Sequence, residues 1–370
     1  MSPRYGGPHP LYLNMRFLTQ PLSGMQRYAE ELIAALDVRL AADPGHLGGR
    51  RVIGLMPRST ARARTWQAIE TRVVGQLGGH AWEQSELGLA ARNGTLVSLS
   101  GSGPLFHPDH VFAVHDANLF VNPHFYSRSY RMLHGLIRPR LMRRARALVT
   151  ISDFSRREIA RSCGLSEDRF TIVPDSAEHL LGIPPEPEIL QRYKLTPGRY
   201  VLCVGNQSPN KNIALAIEAF SRLAPEGVRL AVAGGAAAAL ARTRTVQAPW
   251  LSSLGRISDG ALRTLYENAL LFVFPSIYEG FGVPPLEAMA LGCPVVSSDS
   301  SAMPEVLGDA ALYFRSGKVN DCAKRIAEML ALDPINRQRR VDAGRIRAGE
   351  FRWDHSAERL VALLRRLDAN

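Results

Sequence analysis

The run Pro275-Ser276-Ile277-Tyr278-Glu279-Gly280-Phe281-Gly282-Val283-Pro284-Pro285-Leu286-Glu287-Ala288-Met289-Ala290-Leu291-Gly292 decides the architecture. It follows the apolar stretch Leu271 to Phe274, which has strand length, and runs through glycines into a helix whose first turn accepts Pro285. Gly292 suits the cap that ends this helix. Strand, glycine loop, helix is the repeating unit of a parallel sheet. The same order recurs around it, with strands expected at 200–204, 229–233, 271–274, 294–297 and 311–314. Helical spacing appears at 211–223, 259–269, 284–291 and 320–331, and a last helix spans 353–367.

Farther toward the N-terminus a second series reads the same way. Leu11 to Phe17 alternates like a strand, a loop with Pro21, Ser23 and Gly24 follows, and Ala29, Leu32, Ile33 and Leu36 have helical spacing. Val52 to Met56, Leu96 to Leu99, Val111 to Val114 and Ala147 to Ile151 read as further strands, whereas 58–93 shows no clear period. Pro174, Pro184, Pro185 and Pro187 mark the expected linker. The chain is therefore expected to be α/β, with two doubly wound Rossmann-like domains facing across a cleft. The boundaries expected are 1–178 and 179–370, with the helix at about 355–370 packing back on the first domain. A length of 370 residues fits two cores better than one.

Composition removes several classes. The apolar fraction of 46% and charged fraction of 21% are ordinary for a globular protein. No apolar run approaches the ~18–20 residues of a membrane span, and the opening residues show no secretory h-region. Four dispersed cysteines (Cys163, Cys203, Cys293, Cys322) form no CxxC pair. Buried thiols in a reducing cytoplasm are expected, rather than a zinc site or disulfide framework. The net charge is +11, and most of the excess lies in residues 1–170, which hold 22 basic and 13 acidic residues. Within 128–146 stand Arg128, Arg131, Arg138, Arg140, Arg143, Arg144 and Arg146 with no acid. Such a face attracts anionic lipid or a lipid-linked diphosphate. A solvated helix face in an arginine-rich chain is the plain alternative, and no nucleic-acid-binding motif accompanies the segment.

Two stretches carry chemistry. In Val201 to Asn212 a strand ends at Gly205, and a helix is expected near Lys211, so backbone N–H groups and one ammonium form a candidate anion site. Lys211 is one of only 4 lysines against 41 arginines, and lysine offers a compact point charge. In the 275–292 run, Glu279 stands in the loop and Glu287 on the helix. Acids beside a phosphate site repel the phosphate unless they address neutral hydroxyls. A sugar nucleotide has this distribution, with hydroxyls at both ends and phosphates between.

Residues 271–314 resemble the donor-site signature of retaining glycosyltransferase family 4, of GT-B fold. Glu279 and Glu287 match its Glu-x7-Glu, with Pro275-Ser276 before, then Gly292-Cys293-Pro294, Ser301 to Glu305, and Gly308 to Leu312. Ser23-Gly24-Met25-Gln26-Arg27-Tyr28, His115-Asp116 and Thr150 to Ser155 are similar to the family's N-terminal landmarks. The resemblance implies that Glu279 and His115 serve catalysis and that Lys211 holds the diphosphate. It also implies that Glu287 binds the ribose, that Arg256-Ile257 hold the base, and that Phe281, Gly282 and Val283 meet sugar or phosphate through their backbone. Gly24 lets its loop approach the diphosphate. Family members often carry arginine where this chain has Asn206 and Asn210. A second cation is then expected from elsewhere, with Arg27 the first candidate and a bound metal the alternative. No cofactor or metal is expected beyond the nucleotide-sugar substrate. Retention is expected by same-face attack, with the departing phosphate taking the acceptor proton. Asp116 is expected to be structural, and a packed strand-end role is the plain alternative for His115.

The Tyr278 to Pro284 loop and the Asn14-Met15-Arg16-Phe17 opening resemble mannosyl- and rhamnosyltransferases of surface or exopolysaccharide assembly. The expected donor is GDP-mannose first, then dTDP-rhamnose or a UDP-hexose. The expected acceptor is a glycan or polyprenyl-diphosphate-linked oligosaccharide at the inner face of the plasma membrane, with no nucleic-acid partner. The alternative is a non-catalytic sugar-nucleotide- or phospholipid-binding scaffold.

Overall fold

The computed structural model describes residues 9–59, 62, 64–206, 208–234 and 248–369. The chain divides into two compact units, Met1–Asp175 with Trp353–Asn370, and Ser176–Arg352.

The first unit holds a seven-stranded sheet in the order β3-β2-β1-β4-β5-β6-β7. Its strands are β1 (Leu11–Asn14), β2 (Val52–Met56), β3 (Glu70–Val73), β4 (Thr95–Ser98), β5 (His110–Ala113), β6 (Ala147–Thr150) and β7 (Phe170–Ile172), all paired in parallel. The helices α1 (Gly24–Ala42), α2 (Arg128–Arg144) and α3 (Asp153–Cys163) connect them. The apolar spacing of α1 buries Ala29, Leu32, Ile33 and Leu36. β1 stops at Asn14 rather than Phe17, because the Asn14 side-chain oxygen accepts the Arg16 N–H at 3.1 Å and turns Arg16–Thr19 into a 3-10 helix. The segment without a clear period contains β3, whose four residues are all exposed, and a helix interrupted by a π-turn at Glu83–Leu87.

The second unit holds a six-stranded parallel sheet in the order β10-β9-β8-β11-β12-β13. These strands are β8 (Tyr200–Val204), β9 (Arg229–Ala233), β10 (Leu251–Gly255), β11 (Leu271–Phe274), β12 (Val295–Ser298) and β13 (Leu312–Phe314). Their partners are α4 (Ile213–Leu223), α5 (Asp259–Asn268), α6 (Val283–Ala290), α7 (Val319–Leu330) and α8 (Pro334–Gly349). The central strands are buried on both faces and read as continuous apolar runs, Tyr200 to Cys203 and Leu271 to Phe274 among them. Each large side chain fully buried there contributes ~1.5–3 kcal/mol. The final helix α9 (Trp353–Ala369) returns to the first unit, packs along α1, and buries Leu360, Leu363 and Leu364.

The proline-dense stretch is less of a free linker than its composition predicts. The Glu186 N–H donates to Thr264 Oγ1 at 2.8 Å, which ties the prolines to α5 inside the second unit. In both sheets the strand order reverses between the first strand and its neighbour on the far side, β1/β4 and β8/β11. In doubly wound sheets ligands bind beyond the carboxyl ends of the strands at such a switch point.

Candidate functional site

In the second unit the switch point lies between the loop after β8, which carries Lys211, and the loop after β11, which carries Glu279. Lys211 closes a 3-10 turn, Pro209–Lys211, and so stands just ahead of the helix rather than inside it. Asn212 adopts a left-handed conformation (φ 46°), and α4 begins at Ile213. Lys211 Nζ lies 2.6 Å from Glu279 Oε1, with both side chains partly exposed, and sits 5.5 Å from the Phe274 ring centre. The two charged groups expected at the reacting end are thus in direct contact.

Asn210 anchors this contact. It is buried, its Nδ2 donates to Tyr278 O at 3.0 Å, and its own carbonyl accepts the Ile277 N–H at 2.8 Å. Successive residues 210 and 211 therefore bind successive residues 277, 278 and 279. Where an arginine was the familiar residue, an asparagine staples the lysine turn to the acidic loop. Asn210→Ala leaves the buried Tyr278 carbonyl without this donor and is expected to destabilise the protein by ~1–3 kcal/mol. An unchanged urea midpoint would count against the staple. Asn206 is exposed and caps its own turn, accepting the Ser208 N–H at 3.0 Å.

The acidic loop owes its shape to Gly282, at φ 94°, which is the N-cap of α6. A Cβ there would stand 2.3 Å from Met303 Cε, so both backbone conformation and space require glycine. Phe281 is buried edge-on against Phe351 at 5.2 Å, which pins the loop, and Val283 is the first, half-buried residue of α6. Gly282 and Val283 thus stand where the amides of α6 have no intrahelical partner. Arg256 and Ile257 follow the edge strand β10 on the same carboxyl rim of the sheet; Arg256 is exposed and Ile257 half-buried.

Glu287 is only 7% exposed, in the second turn of α6. Its Oε1 lies 2.9 Å from His179 Nε2, and its Oε2 accepts from the Tyr266 hydroxyl at 3.1 Å. Burial, and then the neighbouring Glu287 charge, push the Tyr266 phenol well above its ordinary value, so it stays a donor. Neither His179 nor Tyr266 stands out in the sequence. Both reach Glu287 across the fold, from 108 and 21 residues away along the chain (287 less 179, and 287 less 266).

In the first unit, His115 follows β5 and is buried, with Nε2 2.8 Å from Leu99 O and its ring edge-on to Tyr28 at 4.7 Å. The carbonyl accepts, so Nε2 carries the proton and Nδ1 keeps the lone pair. Burial lowers the His115 pKa, which keeps the ring neutral. The Asp116 Oδ1 accepts the Asn118 N–H at 2.8 Å, a structural use. Gly24 opens α1, and a Cβ on it would meet nothing within 4 Å, so the unit itself does not demand glycine there. Arg27 lies in the first turn of the same helix. A residue absent from the sequence reading, Glu83, is fully buried on the π-turn. It receives Asn14 Nδ2 (3.0 Å) and Ser102 Oγ (2.8 Å), has Arg16 Nε 2.9 Å away, and meets His80 Nδ1 at 3.0 Å.

All four cysteines are free and buried. Burial pushes the Cys163 thiol up to about 11 and Cys293 and Cys322 to about 12, which makes them poor nucleophiles. Among the described residues no three His, Cys, Asp or Glu side chains gather as a metal site, and no helix is long and apolar enough to cross a membrane.

Comparison with known proteins places this geometry. Residues 186–347 match the family described as glycosyl transferases group 1. The O-antigen chain mannosyltransferase B of Escherichia coli is 32% identical over 277 residues, which are 70% of this chain and 72% of that protein. The serotype-specific mannosyltransferase WbdA of Escherichia coli is 27% identical over 241 residues, 58% of this chain but only 28% of that larger protein. Among solved structures, the sucrose-phosphate synthase of Thermosynechococcus elongatus superposes with a TM-score of 0.73 at 18% identity, covering 98% of this chain and 99% of that one. Both sheets are those of the GT-B architecture.

Proposed function

Because this chain belongs to the glycosyl transferases group 1 family, we propose that it moves a hexose, mannose in the first instance, from a nucleotide diphosphate sugar to a glycan or polyprenyl-diphosphate-linked oligosaccharide in cell-surface polysaccharide synthesis. The contact between Lys211 and Glu279 at the switch point carries the reading. A diphosphate offers Lys211 a second anionic partner, and the glutamate it releases is then free to accept a sugar hydroxyl. The amides opening α6 add donors to the leaving group as its charge develops. Mannose is favoured because the O-antigen chain mannosyltransferase B, similar over 277 residues, and WbdA are both named mannosyltransferases. GDP-mannose is accordingly the first donor to try.

Retention follows if the acceptor attacks the face the phosphate leaves, with the departing phosphate taking its proton. The transition state has oxocarbenium character. Neutral His115, presenting Nδ1, is then an acceptor for a sugar hydroxyl. No metal is needed in this scheme. A thermal-shift panel of GDP, UDP and dTDP with their sugars tests it, since a ligand that binds the fold raises its melting point. Release of free sugar from the responding donor separates a transferase from a scaffold. No shift with any member of the panel would overturn the proposal.

A peripheral place at the cytoplasmic leaflet is part of the same reading. On α2, Met132, Leu133 and Leu136 are 76%, 48% and 57% exposed, and Phe106, under the Arg144 guanidinium, is 72% exposed. Arg138, Arg143 and Arg146 are bound to the Tyr130 hydroxyl, Cys163 O and Asp109, whereas Arg140 donates only within its own helix, to Leu136 O, and joins Arg128, Arg131 and Arg144 as the cations of this segment. Each basic residue near an anionic surface contributes ~1 kcal/mol. Changing those four to glutamine is expected to reduce co-sedimentation with phosphatidylglycerol vesicles at least ~10-fold. Equal sedimentation of the variant and the parent protein would remove the membrane role.

A further inference from the structure

The clamp on Glu287 has a consequence for the donor. A carboxylate has about four lone-pair positions on its two oxygens. His179 Nε2 takes one on Oε1, and the Tyr266 hydroxyl takes one on Oε2. One position on each oxygen is left. Two adjacent acceptor positions held at a fixed angle match two adjacent hydroxyls, as on the 2′ and 3′ carbons of ribose.

The clamp also settles which way the histidine works. Glu287 is a hydrogen-bond acceptor when ionised, so His179 must carry its proton on Nε2. Its Nδ1 is buried and meets no hydrogen-bond partner among the described residues. The His179 side chain is 3% exposed, so solvent does not serve that nitrogen either. The ring is therefore held from the Glu287 side alone. As a packing group a buried ring with an unpaired nitrogen is costly, whereas its other nitrogen supplies the donor that the buried Glu287 Oε1 would otherwise lack. It is well explained as a device that orients the carboxylate.

We infer that His179 is a positioning residue that holds Glu287 as a two-point acceptor for a vicinal diol, so that the site selects ribonucleotide over 2′-deoxyribonucleotide diphosphates. This rests on the reading of Glu287 as the ribose contact. It narrows the donor to GDP- or UDP-linked sugars and disfavours dTDP-linked ones.

The test is calorimetric binding of GDP and 2′-deoxy-GDP, or of UDP and 2′-deoxy-UDP if the uracil nucleotide is the one that binds. The parent protein, His179→Leu, His179→Gln and Glu287→Gln are compared. The parent is expected to prefer the ribonucleotide at least ~10-fold, as a built hydrogen-bonding site rejects an analogue lacking the hydroxyl. His179→Leu is expected to bring that preference to ~3-fold or less, chiefly by weakening the ribonucleotide. His179→Gln, whose amide nitrogen can replace Nε2, is expected to restore most of it. If the parent shows no preference, the ribose reading of Glu287 fails and the inference fails with it. If the parent and Glu287→Gln differ in preference but His179→Leu keeps the parent's, the ribose reading stands and His179 has no positioning role. If His179→Leu weakens both nucleotides equally, His179 only supports the fold, which also overturns the inference. Should the leucine variant not fold, a glutamine variant that loses the preference while keeping the deoxynucleotide's affinity overturns the inference, because its amide still offers Glu287 a donor.

Discussion

Glu279→Ala is expected to lower turnover ~10²-fold or more while leaving donor affinity unchanged or slightly stronger, whereas Lys211→Ala is expected chiefly to weaken donor binding. The opposite signs follow from one contact. Lys211 Nζ and Glu279 Oε1 are 2.6 Å apart, so each group neutralises the other until a third charge arrives. Removing the glutamate frees the ammonium, which then meets the diphosphate without a competitor, so nucleotide affinity does not fall. The sugar loses a positioned acceptor near the reacting carbon, and lost groups of that kind commonly cost ~10²-fold or more in rate. Removing the lysine leaves the diphosphate facing an unpaired carboxylate. Loss of one charge-assisted bond, worth ~1.5–3 kcal/mol, predicts ~10–10²-fold weaker donor binding. The double variant should bind donor better than Lys211→Ala alone, because the repelling acid has gone with the cation. A double-mutant cycle measured by calorimetry reports this coupling. Additive effects on binding would mean that the pair does not share a ligand. His115→Ala is expected to match the turnover loss of Glu279→Ala without changing nucleotide affinity.

Much of the second unit is legible in the sequence for a definite physical reason. Its central strands are buried on both faces and so are continuous apolar runs, and its loops carry glycines where the backbone leaves the β region. Glu279, Gly282 and Glu287 can be placed from that alternation alone, and Lys211 from its position after β8. What stays hidden is tertiary. His179, Tyr266 and Asn210 gain their roles only when distant segments meet, and no local period marks them. The Glu83 cluster is hidden differently, because a π-turn breaks the helical period that would have revealed its helix. β3 is hidden because all four of its residues face solvent at a sheet edge and none reports a core. α8 is a further omission. Only Gly344 and Ala348 are buried on it, so its arginine-rich surface carries no apolar stripe.

Acidification is expected to destabilise the first unit from about pH 6.5 downward, before most of its carboxylates are protonated, and His110 is the reason. Its Nε2 lies 3.0 Å from Ser98 Oγ, in a buried setting at the base of β5. Burial, and then the proximity of His107, lowers its pKa from 6.5 to about 3, although Glu83 and Asp109 pull the other way. His134 is lowered to about 4, mainly by burial, and His115 is lowered as well. The sign follows from linkage. A histidine kept neutral by the fold binds fewer protons than the same residue in the unfolded chain. Its contribution is complete above about pH 6.5 and disappears as the pH falls toward 3. At pH 4.5, still near the ordinary range of exposed carboxylates, His110 alone should cost about 3 kcal/mol relative to neutral pH. His134 acts in the same direction, with a smaller effect because its ring is partly solvated. Hydrogen exchange at pH 7 and pH 4.5 should therefore show larger losses of protection in β4, β5 and β6 than in β8, β11 and β12. His110→Gln keeps a neutral polar partner for Ser98 and removes the titrating group. It is expected to lose some stability at pH 7 yet to narrow the gap between the two pH values by about 3 kcal/mol. If the glutamine variant showed the same acid sensitivity as the parent, the loss would have to come from other groups, with the Glu83 cluster the first to examine. Burial pushes the Glu83 carboxyl up, but His80, Arg16, Asn14 and Ser102 together outweigh burial and hold it below its ordinary value. Its contribution is therefore lost only at lower pH, which separates the two causes on a single titration.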